Sequence, residues 1–287
     1  MVSPVEPRHT SALSTHEVTA SAADQNPYDP LTDAELEALI TRVYNGEISR
    51  FDMPTALSNA RTFMHGVFQG YGGNFDNIAW GTPDYIKLAH LERNVYQFSG
   101  AKNYHQLRDL TSAIKEGDKV LPFSEFKVKA MAILDEYQGS WLRTEYNAAI
   151  AGSQMASKWV QFEKAGASKA KGVSKLLTYR TMEDARVRPE HAAMDGITLP
   201  IDHVFWQTRY PPNGWNCRCT VLRRNDTIQT AEKDVVYADI PKMFQTNLGQ
   251  AGLVFPKGSA YFMGIPKDVK ADINSIIPDH PQPKNKK

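Results

Sequence analysis

Both cysteines of this chain stand one residue apart, as Cys217-Arg218-Cys219, at the end of a stretch dense in groups that resist ordinary secondary structure. The stretch runs Tyr179 to Arg223 and reads YRTMEDARVRPEHAAMDGITLPIDHVFWQTRYPPNGWNCRCTVLRR. His191 sits in an R-P-E-H turn. Phe205-Trp206 and Tyr210-Pro211-Pro212 crowd aromatics and a stiff diproline into one short connection. A loop of this composition needs a specific internal anchor, because a small sheet alone cannot hold it. Extended C-x-C backbone points both side chains to one face but leaves poor dihedrals for a bond between them. Reduced thiols, and assembly inside a cell, are therefore expected.

The rest of the chain reads as a helical body leading into this stretch and a tail leading out. Residues 1–30 are rich in Ser, Thr, Ala and Pro and hold few large apolar groups, the composition of a disordered arm. Residues 31–165 form the helical region. Thr32 and Glu35 have capping-box spacing, and Leu36, Leu39, Ile40 and Val43 follow with helical period. Pro54 opens a second helix. Thr82-Pro83 starts a third, expected to stop near Ser99-Gly100, and Tyr104 to Ile114 marks a fourth. The longest apolar stripe runs from a cap at Ser124 to about Glu163, with Gly139 and Gly152 as points where it bends or splits. Within it, Arg143, Glu145 and Asn147 read either as a polar recognition surface or as a solvated face or buried ion pair joining two helices.

Gly166 to Gly172 is a Lys/Ala/Gly/Ser linker into a small module, residues 166–225. Leu176–Thr181 and Thr220–Leu222 alternate as strands. A C-terminal extension, 226–265, is expected to pack on the module, with Leu253 to Pro256 and Tyr261-Phe262 as edge strands or packing anchors. A polar tail, 266–287, follows. The fold class is α+β: a mainly helical N-terminal region, then a module with a short sheet and irregular loops. The formal net charge of +1 leaves no overall basic field. No apolar run approaches the roughly 18–20 residues of a membrane helix, and no basic segment with an apolar core marks a signal peptide.

The order D-A-R-V-R-P-E-H-A-A-M-D-G, then F-W-x-x-x-Y-P-P-N-G-W-N-C-R-C-T, across Asp184 to Thr220, resembles the phage head morphogenesis family, the Mu F-like minor head proteins of tailed bacteriophages and prophages. Weaker likeness extends over roughly residues 30–265. The resemblance implies a virion protein of the phage head, made in the bacterial host cytoplasm, acting near the portal with portal or capsid proteins as partners. It implies no enzyme and no membrane.

Two arrangements account for the motif. In one, His191, Cys217 and Cys219 hold a zinc ion. Relatives of the module show C-x-x-C where this chain has Arg188 to His191. Arginine cannot ligate, so the fourth ligand falls to Asp184, Asp195 or water. In the other, the motif is a hydrogen-bonded knot in which Asp184 or Asp195 holds Arg186, Arg188 or Arg218, His191 bridges a carboxylate and a carbonyl, and the thiols are small buried groups. Asp184, Arg188, Gly196, Trp206, Pro211, Pro212, Gly214 and Arg218 make up the structural motif in either case, with Gly196 and Gly214 expected at positive φ. Trp206, Tyr210, Pro211, Pro212 and Trp215 read as its core, or as a ligand groove.

Two further functions compete with head assembly. A metal- or Cys/His-dependent hydrolase, nuclease or protease-like, would use Cys217 or Cys219 with His191, or Asp184 and His191 with a metal. Binding of double-stranded DNA would use an arginine patch that includes Arg186, Arg209, Arg218 and Arg223.

Overall fold

The computed structural model describes residues 28–167, 175–224 and 228–280. The arm's residues 1–27 and most of the Lys/Ala/Gly/Ser linker lie outside the described residues. Helices dominate, in the order α1 (Asp33–Tyr44), α2 (Met53–Tyr71), α3 (Pro83–Ser112), α4 (Phe123–Leu134) and α5 (Trp141–Gly166). A two-stranded ribbon, β1 (Lys115–Glu116) with β2 (Lys119–Val120), turns the chain between α3 and α4. The module follows: β3 (Leu176–Arg180), α6 (Pro189–Ala192), β4 (Thr198–Pro200), α7 (Phe205–Arg209) and β5 (Thr220–Arg223). Beyond it lie α8 (Leu248–Ala251) and α9 (Lys267–Ser275). A mainly helical chain with one small antiparallel sheet in its module is the α+β class expected. Among the described residues no helix is long and apolar enough to cross a membrane.

Local chemistry explains the helix starts. Thr32 accepts from the Glu35 amide while the Glu35 carboxylate takes the Thr32 amide at 2.8 Å, a complete capping box. Thr82 caps α3 with Pro83 in its first turn, and Asp52 caps α2 just before Pro54. The stop expected near Gly100 does not occur: α3 runs on to Ser112, so the third and fourth helices are one. Gly100 serves a close approach instead. A Cβ built there would meet Ile273 of α9 at 2.7 Å. The long stripe after Phe123 does split at Gly139, where residues Asp135–Ser140 form a π-helical turn between α4 and α5. Gly152 leaves α5 unbroken. The helix begins at Phe123 rather than from a Ser124 cap, with Pro122 preceding it.

Three apolar clusters form. Leu39, Ile40 and Val43 of α1 meet Leu107, Leu110, Phe126 and Leu134. Phe63 and Val67 of α2, Leu91 and Phe98 of α3, and Leu142 and Ala149 of α5 make the second. In the third, Met155, Trp159 and Phe162 of α5 pack with Tyr179, Phe205, Trp206, Tyr210 and Val221 of the module. The extension serves two cores. Ile240, Phe244 and Leu248 join the module, while Val254 and Phe255 enter the helical body, where Phe255 stacks on Phe98 at 3.7 Å. Asn94 of α3 holds that segment, its Oδ1 accepting from the Val254 and Phe255 amides at 2.9 and 2.7 Å. Residues 253–256 and 261–262 are thus packing anchors, not edge strands. The stretch read as a polar tail contains α9, with Val269 and Ile273 buried against the body.

The alternatives for Arg143, Glu145 and Asn147 separate residue by residue. Glu145 is buried and paired with the fully buried Lys102 of α3. Burial pushes the Lys102 ammonium toward neutrality and the Glu145 carboxyl toward protonation, and each charge opposes that drift in the other. Arg143 covers the Tyr28 ring, 3.8 Å from its centroid. Asn147 faces the module. Lys102→Met, which leaves Glu145 buried without its cation, is expected to cost roughly 3–5 kcal/mol in urea unfolding, and Lys102→Met with Glu145→Gln to recover most of that loss. A single substitution without effect would show that the pair contributes nothing to stability.

Candidate metal centre

The sheet places the motif. β3 is central, pairing antiparallel with β4 (Leu177 opposite Leu199) and with β5 (Tyr179 opposite Val221). The β3–β4 connection carries α6 and with it His191, and the approach to β5 carries Cys217 and Cys219. Both converge beside the end of β3, where Arg180 faces Thr220. Arg188 precedes α6 in extended backbone and Pro189 occupies its first turn, which fixes where His191 points. Asn216 takes a left-handed φ of 55° just before Cys217.

His191, Cys217 and Cys219 are brought together and buried. The imidazole Nδ1 lies 3.4 Å from the Cys219 Sγ and 3.7 Å from the Cys217 Sγ. A zinc ion bonded at about 2.3 Å to sulfur and about 2.0 Å to nitrogen, with tetrahedral angles, separates N from S by about 3.5 Å. The donors present therefore fit zinc in type and spacing. The same spacing also permits S–H···N hydrogen bonding. The two thiols are linked: the hydrogen bond from Cys219 lowers the Cys217 pKa against the effect of burial, and His191 adds to it. The same bond, with burial, pushes Cys219 up. Cys217 is thus the first of the pair to ionise.

The carboxylates named as a fourth ligand are committed elsewhere. Asp184 forms a bidentate pair with Arg218, both bonds at 2.7 Å, and accepts from the Arg186 amide at 3.1 Å. Asp195 caps the end of β3, taking the Thr181 amide at 2.6 Å, and pairs with Arg180 at 3.2 Å. Arg188 donates to the Trp215 carbonyl at 2.7 Å, not to an aspartate. His191 bridges no carboxylate and carbonyl; its Nε2 is buried without a partner among the described residues.

Gly196 has the expected positive φ of 80°, but Gly214 does not; a Cβ at Gly214 would come to 3.1 Å from the Arg188 guanidinium. Limited space beside that guanidinium, not backbone freedom, is what marks the position. Trp206 and Tyr210 are fully buried, and Tyr210 donates to the Met155 carbonyl at 2.9 Å, tying the module to α5. Pro211 and Pro212, joined by a cis bond, are buried with them, while Trp215 is half-buried against Phe244. Trp206, Tyr210 and Trp215 pack in the apolar cluster of the module. Arg209 is buried too, donating to the Ala238 carbonyl at 2.9 Å, which removes it from any DNA-facing patch; Arg186, Arg218 and Arg223 are exposed.

A cavity of about 700 Å³ adjoins the cluster, bordered by His191, Cys217 and Cys219 on one side and by Asn147, Ile150 and Gln154 of α5 on another. Asn147 reaches across to Asn216 at 3.3 Å. The α5 wall was not singled out from the sequence beyond Asn147, because its residues match an ordinary helix face in type and spacing.

The Arg218 pair holds the Asp184 carboxyl at about 2, below its ordinary 3.8, with the Arg186 amide and both arginine charges adding to the effect. A lowered carboxyl pKa stabilises the fold above the ordinary carboxylate range, and that contribution is lost as pH falls toward 2. Carboxyl titration by NMR is expected to give a midpoint near 2 for Asp184, rising toward 3.8 in Arg218→Ala. An unchanged midpoint would remove the pair as its cause.

The whole cluster lies within residues 105–222, which match the family model described as Phage Mu protein F like protein. A 43-residue segment is 56% identical to the putative capsid assembly protein F of Escherichia phage Mu, over 15% of this chain and 10% of that protein. The Mu-like prophage FluMu F protein of Haemophilus influenzae is 46% identical over 43 residues, with the same shares. The match thus spans only about a tenth of the length of these relatives. No solved structure matches the chain. Residues 105–222, from within α3 through the sheet module with its His/Cys/Cys cluster, are similar to the Phage Mu F-like family.

Proposed function

We propose that this protein acts in head morphogenesis of a tailed phage or prophage, as a minor virion component assembled into the head near the portal. The observation that carries this reading is the 56% identity, over 43 residues, to the putative capsid assembly protein F of phage Mu. The structure supplies physical support: a module with a dense aromatic core, locked onto α5, suits a part that must survive assembly as a rigid unit. Portal and capsid proteins are its partners in this reading. For packaged double-stranded DNA, the exposed Arg186 and Arg223 remain as phosphate contacts, and binding through them falls steeply with salt.

His191, Cys217 and Cys219 hold zinc in this reading, and the ion serves as a structural staple for loops that converge beside β3. The hydrolase alternative is weaker on geometry. Nucleophile–base pairs carry a third group that orients the base, and the second nitrogen of His191 has no such partner among the described residues.

Two measurements test the proposal. Elemental analysis of freshly purified protein is expected to give about one zinc per chain, with the melting temperature lowered by a strong chelator; no metal and no chelator effect would leave the hydrogen-bonded knot. Inactivating the gene in the phage that carries it is expected to abolish DNA-filled heads, with the protein detected in wild-type heads in few copies. Normal heads lacking the protein would overturn the assembly role.

A further inference from the structure

A tetrahedral ion with three protein donors keeps one position for a ligand from outside. In this chain the two aspartates named for that position are bound to arginines and to a backbone amide. The three donors all border the same cavity, whose lining includes Arg186, Arg188 and Arg218 but no carboxylate. Asp184 pairs with Arg218 and lies 3.7 Å from Arg186, and Arg188 is tethered to the Trp215 carbonyl, so three guanidiniums share one carboxylate and positive charge remains in excess there. An ion with two thiolates and a neutral imidazole is formally uncharged and does not offset that excess.

The remaining lining is mixed. Asn147, Gln154 and Asn216 offer amides, and Ile150 and Val187 offer apolar surface. About 700 Å³ suits a few residues of extended peptide.

We propose that this cavity is a docking site for an acidic segment of a partner protein, whose Asp or Glu carboxylate completes the metal's coordination while Arg186 and Arg188 balance its charge. This rests on the metal reading above and adds a partner chemistry to it. The module's metal centre thereby becomes complete only in the complex.

The test uses the full chain loaded with cobalt(II), whose thiolate charge-transfer and ligand-field bands report the donor set. Three additions are compared: acetyl-Ala-Glu-Ala-amide, its Gln counterpart, and a short DNA duplex. The Glu peptide is expected to shift the ligand-field bands saturably and the Gln peptide to leave them unchanged, with Arg188→Gln weakening the Glu peptide roughly tenfold. Identical responses to Glu and Gln, no response to either, or a response to DNA alone would overturn the docking proposal while leaving the thiolate bands, and so the metal reading, intact. Absence of the thiolate bands would sink both.

Discussion

One helix forms a wall of two hydrophobic cores. Along α5, Leu142, Ala148 and Ala149 face the helical body, while Met155, Trp159 and Phe162 face the module. The helix must pass close to α2, and the glycines of α2 permit it: a Cβ at Gly70 would lie 2.1 Å from the Ile150 carbonyl oxygen. No side-chain rearrangement relieves a clash with backbone, so the approach of α2 to α5 depends on that position being glycine. The position of α5 then sets the position of the module, through the Tyr210–Met155 hydrogen bond and the Trp159 ring set edge-on to Tyr210 at 4.9 Å. The same helix supplies Asn147, Ile150 and Gln154 to the wall of the cavity beside the His/Cys/Cys cluster.

Buried polar groups give this packing its register. Apolar contact between helices is tolerant of sliding, whereas an unpaired buried charge or amide is costly. Lys102 and Glu145 fix α3 against α5, and Asn94 fixes the extension at Val254 and Phe255. Tyr179, at the centre of the sheet, donates to Asn213 at 3.0 Å and so pins the loop that leads to Cys217. Each of these groups spends a hydrogen bond on location more than on net stability.

Much of this was legible in the chain because its signals are local. The capping box at Thr32, the Thr82-Pro83 start, the split at Gly139 and the positive φ of Gly196 all follow from the chemistry of a few adjacent residues. The failures share a different cause. Gly100 and Gly214 read as a stop and a turn, but Gly100 continues a helix where Ile273 leaves no room for a Cβ, and Gly214 lies without a positive φ beside the Arg188 guanidinium. Strand β4 escaped notice because three residues ending in proline carry too little pattern. Arg209 read as surface charge and is buried beneath the extension, a placement set by residues nearly thirty positions away. The His191, Cys217 and Cys219 grouping was legible from residue type; the commitment of Asp184 and Asp195 to arginines was not, since each had several partners of the right charge.

That commitment shapes the chemistry of the site. With either aspartate aimed at the thiols, the cluster would carry its own fourth donor and close on itself, as structural zinc sites do. Instead the bidentate Asp184–Arg218 pair spans the residue between the cysteines and a turn before α6, so it positions both halves of the cluster from outside. Asp184 could turn toward the thiols only by breaking two charge-assisted hydrogen bonds. The consequence is a His/Cys/Cys cluster that borders an arginine-lined cavity with no carboxylate in the cavity's lining.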